Sequence, residues 1–165
     1  MGFIFILFVC ACFVGLGIYI YNVYKMRKVF YENLVSFCNH LSVEINFSKN
    51  TTSQVIDTYA SGYSANFAKL LAGYKTMIDD KAEITRDGIS ALMWRRLKKH
   101  EQSIVGDFFY ELGRHSLHEE QEKIANKKIQ FEESLKAAQT ALRREASIYL
   151  KICIILGIAS VILLI

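Results

Sequence analysis

The sequence contains no proline and only nine glycines among its 165 residues. Proline breaks helices and glycine supplies many of the tight turns that join strands, so few positions in this chain interrupt a helix. A fold rich in β-sheet is therefore disfavoured. The composition predicts an all-α protein, a helical bundle with a long C-terminal helix.

Charge is absent from both ends of the chain. All 20 lysines and arginines and all 16 aspartates and glutamates lie between Lys25 and Lys151. Hydrophobic residues make up 52% of the sequence, and the mean hydropathy is +0.20. This distribution excludes an ordinary cytosolic enzyme with a single core and favours a charged domain held between two membrane segments.

The cysteines do not suit a disulfide framework. Only four occur, and Cys10, Cys12 and Cys153 lie in the two uncharged ends. Disulfide frameworks belong to small secreted domains in oxidising compartments. We interpret all four cysteines, including Cys38, as small buried hydrophobic residues.

The first uncharged segment, residues 2–24, is long enough to cross a bilayer, because about 1.5 Å per residue gives it a length of about 34 Å. Tyr19, Tyr21 and Tyr24 gather at its far end, where tyrosine rings favour the headgroup region. A cleaved signal peptide is one alternative, but no lysine or arginine precedes the run and no small-x-small site closes it. A lipoprotein leader is another, since Val9-Cys10-Ala11-Cys12 faintly resembles its cleavage box. We expect a retained transmembrane helix.

The second apolar segment, residues 148–165, is shorter and reaches about 27 Å only when Ile148, Tyr149 and Leu150 are included. Lys151 then lies near the bilayer boundary, where its long side chain can reach the headgroups. A buried helix of a soluble core is the alternative. We predict a transmembrane helix over residues 2–24, a cytoplasmic helical domain over residues 25–147 and a second transmembrane helix over residues 148–165.

Basic residues mark both membrane boundaries of the central region. They are Lys25, Arg27, Lys28, Arg143, Arg144 and Lys151. Because loops rich in lysine and arginine stay in the cytoplasm, we predict a cell-membrane protein with two spans and a cytoplasmic middle domain. The glycosylation sequons at Asn46 and Asn50 would then stay unmodified.

Apolar residues of the central region recur at helical spacing. The first stripe consists of Phe30, Leu34, Phe37, Leu41 and Ile45. Residues 46–53 are predicted to form a loop, and the next helix should stop at Gly62 in a left-handed conformation. Ser64 is the predicted cap of a third helix, and a fourth is expected to carry Ile89, Leu92, Met93 and Leu97. A fifth carries Ile104, Val105, Phe108 and Leu112.

A long helix is predicted to begin at Ser116. The Ser116 hydroxyl can accept the Glu119 amide proton while the Glu119 carboxylate reaches back to the Ser116 amide. No glycine follows until Gly157. An apolar seam, made of Ile124, Phe131, Leu135, Ala138, Leu142 and Tyr149, suits a coiled-coil partner or packing on the first helix.

A basic cluster follows Trp94. Its members are Arg95, Arg96, Lys98, Lys99 and His100. We expect this segment to be helical, so the side chains would wrap around the helix and not form the stripe that nucleic acid needs. A solvated helix face is one interpretation, and a docking surface for an acidic protein or lipid headgroups is the other. No nucleic-acid partner is expected.

The sequence lacks the motifs of common catalytic sites. It has no phosphate-binding glycine loop, no Gly-x-Ser-x-Gly turn and no Cys-x-x-Cys pair. His115, His118, Glu119 and Glu122 could be imagined as metal ligands, but the second histidine of the zinc-protease motif is missing. We predict no metal, no cofactor and no enzymatic activity.

The C-terminal third carries a distinctive series of short motifs. Glu111-Leu112-Gly113-Arg114 precedes Glu119-Glu120-Gln121, a long charged helix follows, and Leu156-Gly157 opens an apolar tail. Together with the N-terminal membrane helix and the helical middle, this series resembles the stage III sporulation protein AB family. The resemblance covers the chain end to end and is most specific from about residue 108 to residue 165.

The resemblance implies a role in endospore formation, within a complex similar to bacterial secretion machinery in the mother-cell membrane. It implies a cytoplasmic domain similar to that of the type II secretion platform protein. The implied partners are the cytoplasmic ATPase of the same complex and other membrane subunits, beside the lipid bilayer. Self-association into a homo-oligomer is left open.

On this basis we expect a non-enzymatic membrane scaffold that docks the ATPase. The residues predicted to bind partners are Arg95, Arg96, Lys98, Lys99, Leu112, Gly113 and Arg114. Two other functions remain as alternatives. One is a membrane-shaping or pore-forming protein driven by the two apolar ends, and the other is a metal-dependent membrane enzyme or sensor that uses His115 and His118.

Overall fold

A computed structural model of the chain describes residues 2–45, 51–81, 83–114 and 116–164. The structure is 88% helical and has no strand among these residues, which confirms the predicted all-α class. The helices are α1 (Gly2–Val43), α2 (Thr52–Tyr59), α3 (Ala65–Asp79), α4 (Arg86–Leu92), α5 (Lys99–Glu111), α6 (Leu117–Ala141) and α7 (Ser147–Leu164). A 3₁₀ turn, Ala60–Gly62, follows α2, and a π-helical turn, Leu142–Ala146, joins α6 to α7.

The chain forms two compact units. The first, which we call the terminal unit, consists of Met1–Lys28 and Leu135–Ile165, and the second, the central unit, consists of Val29–Ser134. Two helices, within Phe8–Val43 and His118–Ile162, are long and apolar enough to cross a membrane, by length and composition. This agrees with a membrane protein.

The terminal unit pairs the first part of α1 with α7 at two glycines. A Cβ added to Gly17 would lie 3.0 Å from Leu150 Cδ1 and 3.1 Å from Cys153 Cβ, so a larger residue there requires its neighbours to move. Further along, the Cys10 thiol donates a hydrogen bond to the Gly157 carbonyl oxygen at 3.3 Å. Small residues thus let the two helices approach closely, as membrane helices commonly do.

The cysteine prediction is correct in part. All four are free thiols, and Cys38 is buried, whereas Cys12 is exposed. Cys12 lies two residues from Cys10 on α1, and residues two apart point to different sides of a helix. Its side chain therefore does not share the packed side that Cys10 occupies.

The long C-terminal helix contains a π-helical turn, a feature that the spacing of its apolar residues does not predict. Ile124, Phe131 and Ala138 are buried at intervals of seven residues, which is close to two α-helical turns. The next buried residue is Ala146, eight positions on, because a π-helical turn accommodates one extra residue. Glu145 is consequently exposed, and its carboxylate accepts a hydrogen bond from the Tyr24 hydroxyl at 3.0 Å.

Aromatic rings build the core of the central unit. The predicted α1 stripe from Phe30 to Ile45 is buried, as expected. Phe37 stacks on Phe109 with ring centroids 5.9 Å apart, and Tyr74 meets Phe109 edge-on at 5.0 Å. Phe131 on α6 meets Phe108 on α5 at 5.3 Å, so the apolar seam of α6 packs within the chain in this unit.

Several helix ends differ from the predictions. α2 begins at Thr52, capped by the Thr51 hydroxyl, so residues 52 and 53 are helical and not part of a loop. Gly62 ends a 3₁₀ turn without a positive φ, since α2 tightens at its end and needs no left-handed stop.

Ser64 holds the cap position of α3 as predicted, but its hydroxyl accepts a hydrogen bond from Asn33 Nδ2 at 2.6 Å. Residues 46–50 of the predicted loop, which include Asn46 and Asn50 of the two sequons, lie outside the described residues.

Candidate docking surface

The predicted basic cluster lies partly on a turn and partly at the start of a helix. α4 ends at Leu92, and Arg95 and Arg96 lie on the turn that follows. Lys98 is the cap residue of α5, and Lys99 and His100 are its first two residues. The helical prediction was wrong for residues 93–98, because Met93 and Leu97 are both buried anchors of an irregular turn. All four predicted basic side chains are exposed, as is His100.

Hydrogen bonds hold this basic turn in place. The Lys98 amide donates to the Glu101 carboxylate at 2.9 Å, and Gln102 Nε2 donates to the Leu97 carbonyl oxygen at 2.9 Å. Both interactions satisfy backbone groups at the start of α5 that have no partner within the helix itself. The exposed cations therefore project from a backbone that is ordered by its own contacts.

The second predicted segment, Leu112-Gly113-Arg114, forms a sharp turn after α5. Gly113 has φ +80°, a left-handed conformation that side chains disfavour. Its amide donates to Glu120 Oε1 at 2.9 Å, and the Tyr74 hydroxyl lies 3.5 Å from the Leu112 carbonyl oxygen. Burial, and after it the charge of Glu120, raises the pKa of Tyr74, so this hydroxyl stays protonated as a donor.

Glu120 is only 6% exposed. Its Oε2 atom has no hydrogen-bond partner among the described residues, while Oε1 holds the Gly113 amide. A carboxylate kept at such a position, despite the cost of burial, fixes the orientation of the turn. Glu120 belongs to the motif Glu119-Glu120-Gln121, but no local spacing predicts its contact with Gly113.

Arg114 stacks on Tyr110 together with a second arginine. The Arg114 guanidinium carbon lies 4.0 Å from the Tyr110 ring centroid, and that of Arg86 lies 5.2 Å from it. Arg86 and Tyr110 were not predicted as site residues. A spacing of four residues indicates a contact only within a helix. Because the turn at Gly113 separates Arg114 from α5, no local pattern predicts this stacking. Arg86 comes from α4, and only the packing of α4 on α5 brings it there.

Ser116 and Glu119 lie at the start of α6. The Ser116 amide donates to Glu119 Oε2 at 3.3 Å, and the Ser116 hydroxyl donates to the same oxygen at 2.9 Å. The carboxylate therefore reaches back to the cap residue as predicted. His115 lies outside the described residues.

The predicted membrane-boundary residues all belong to the terminal unit. Lys25, Arg143, Arg144 and Lys151 are exposed, and Arg27 and Lys28 are half-buried. Arg143 and Arg144 lie on the π-helical turn.

The structure offers no described group of three or more histidine, cysteine, aspartate or glutamate side chains that could hold a metal ion. His118 Nε2 lies 3.8 Å from Glu122 Oε1 on the exposed side of α6. Since His115 is not among the described residues, the absence of a metal site stays a prediction.

Comparison with known proteins gives one finding. The family model for stage III sporulation protein AB matches residues 2–165. No curated protein and no solved structure matches the chain.

Proposed function

Since the chain belongs to the stage III sporulation protein AB family, we propose that it is the non-enzymatic scaffold subunit of a secretion-like transenvelope complex. Family membership gives it a sporulation-related role. The finer proposal is that the central unit docks the cytoplasmic ATPase of the complex, while the terminal unit holds the protein in the membrane beside the other membrane subunits.

The observation that carries this proposal is the pair of ordered turns at the two ends of α5. The basic turn before α5 exposes Arg95, Arg96, Lys98 and Lys99, and the turn after α5 exposes Gly113 and Arg114. Exposed cations on a fixed backbone suit recognition of another protein, because little conformational entropy is lost when they bind.

The proposed topology keeps the central unit on the cytoplasmic side, where the basic residues at both membrane boundaries favour it. Protease added to sealed, right-side-out cells should then leave the central unit intact. Cleavage within residues 29–134 from outside would contradict the topology.

Docking is tested by capture of the ATPase of the same organism on the full chain in lipid nanodiscs. We expect R95E/R96E/K99E to lose at least about tenfold in ATPase affinity, since reversed charges repel what the native ones attract. The matched control is K69E/K81E/K136E, which reverses three exposed lysines elsewhere and should retain capture. Equal capture by both variants would contradict docking at the basic turn, and nucleotide hydrolysis by the purified chain alone would contradict the scaffold role.

A membrane-shaping or pore-forming function is the second candidate. It is favoured by the exposed apolar side chains of the terminal unit, such as Phe8, Ile155 and Ile162. Dye release from liposomes by the full chain would support this candidate, and intact liposomes would remove it.

A further inference from the structure

A basic groove runs along the surface between α4 and α5. Three adjoining cavities form it, with volumes of about 410, 170 and 330 Å³. The first two share Arg86 as a lining residue, and the last two share Ser90, Lys99 and Gln102, so the three cavities adjoin along one surface. We call it the α4–α5 groove.

Four basic residues line the α4–α5 groove: Arg114, Arg86, Lys99 and Arg95. Two acidic residues also line it, Glu83 and Asp107. Asp107 Oδ1 accepts from Arg86 Nε at 3.0 Å and so holds that arginine in place. The lining retains a positive excess, which favours an anionic occupant.

At the end of the groove near Tyr110, two guanidinium groups are held by their own contacts. Arg114 and Arg86 both lie over the Tyr110 ring, and Arg114 Nη2 donates to the Ile84 carbonyl oxygen at 3.2 Å. The two terminal nitrogens of Arg86, and Nε and Nη1 of Arg114, have no hydrogen-bond partner among the described residues. Guanidinium groups held in this way can bind carboxylates through paired N–H donors.

The remaining lining residues suit an extended segment of protein chain. Ser90, Ser103 and Gln102 offer polar side chains between the cations, and Gly106 contributes no side chain to the floor. A chain that carries several carboxylates could contact Arg114 and Arg86 at one end and Lys99 and Arg95 at the other. A single small anion would use only one of these positions.

We propose that the α4–α5 groove binds an acidic segment of the partner protein, with carboxylates on Arg114, Arg86 and Lys99. This inference rests on the proposed docking function and names the chemistry of the segment that docks. It assigns Arg86 to the interface, a residue outside the basic turn on which the docking proposal depends.

The probe is a fluorescein-labelled peptide of alternating aspartate and alanine, titrated with the full chain in phosphatidylcholine nanodiscs at low salt and followed by fluorescence anisotropy. We expect it to bind about tenfold more tightly than a peptide with asparagine in place of aspartate. R86Q/R114Q should weaken binding of the acidic peptide about tenfold, and the matched control K69Q/K136Q should change it less than about twofold.

Equal binding of the two peptides to the native chain would overturn the inference without any variant. Unchanged affinity in a folded R86Q/R114Q variant, checked by circular dichroism, would also overturn it. These failures are distinguishable from failure of the docking proposal, which is measured by ATPase capture: an ATPase that is captured while the acidic peptide is not must dock by another chemistry.

Discussion

Helices of the terminal unit approach one another at glycines, whereas helices of the central unit are spaced by large aromatic rings. Gly17 and Gly157 bring α1 and α7 within contact distance. In the central unit, Phe37, Phe109 and Tyr74 fill the space between helices. Lipid offers apolar side chains as good an environment as a protein core does, so close backbone packing replaces the hydrophobic effect as the force between membrane helices.

The largest expected effect is on the aromatic core. Phe109→Ala should destabilise the central unit by about 3–5 kcal/mol, because it removes a buried ring that touches Phe37, Tyr74 and Phe108. The measurement is urea unfolding of the full chain in nanodiscs, followed by the fluorescence of Trp94.

The control for this change is Ile129→Ala, since Ile129 is 57% exposed and should contribute less than about 0.5 kcal/mol. Similar losses in the two variants would show that the rings do not form the core of the unit.

The next largest expected effect is at the glycine contact between α1 and α7. Gly17→Ile should destabilise the α1–α7 pair by about 1–3 kcal/mol, because its side chain would overlap Leu150 and Cys153. Thermal unfolding in micelles followed by circular dichroism measures the loss. Gly15→Ile is the matched control on the same helix, since a Cβ at Gly15 meets nothing within 4 Å. A larger loss at Gly15 would refute the helix pairing.

A smaller loss of stability is expected from a change in the turn after α5. Gly113→Ala should cost about 1–2 kcal/mol, because alanine is strained at φ +80° although open space surrounds its Cβ. Gly62→Ala, also in open space but without a positive φ, should stabilise the protein by about 0.4–1 kcal/mol, because alanine restricts the unfolded chain. Denaturant unfolding of both variants compares them, and equal stability would mean that the turn relaxes freely.

The smallest expected effect is a loss of stability at alkaline pH. Burial raises the pKa of the Cys38 thiol to about 12. The unfolded chain releases this proton near pH 9 while the folded chain keeps it, so stability falls as the pH rises from 9 towards 12. Between pH 8 and pH 10 we expect the native chain to lose about 1 kcal/mol more than a Cys38→Ala variant. An identical pH dependence in both would show that Cys38 is hydrated in the folded state.

The sequence predicted the parts of this molecule that depend on periodicity and failed where a contact depends on tertiary packing. The α1 stripe and the carboxylate of Glu119 follow from local spacing, and the structure has both. The segment from Met93 to Leu97 has helical spacing too, yet its two apolar residues anchor a turn. Arg86 joins Tyr110 only through the packing of two helices, which no local pattern encodes.

The π-helical turn holds one extra residue, so one residue can be removed there without rotating the helix that follows. Loss of one residue within Leu142–Ala146 would convert the π-helical turn to regular α-helix and leave Ala146 in phase with Ala138, seven positions away. The same loss between Ser147 and Gly157 would rotate Gly157 by about 100° and carry it away from Cys10. A single-residue deletion scan from Leu142 to Gly157 would therefore find one short window of tolerance, centred on the arginines just before the apolar tail.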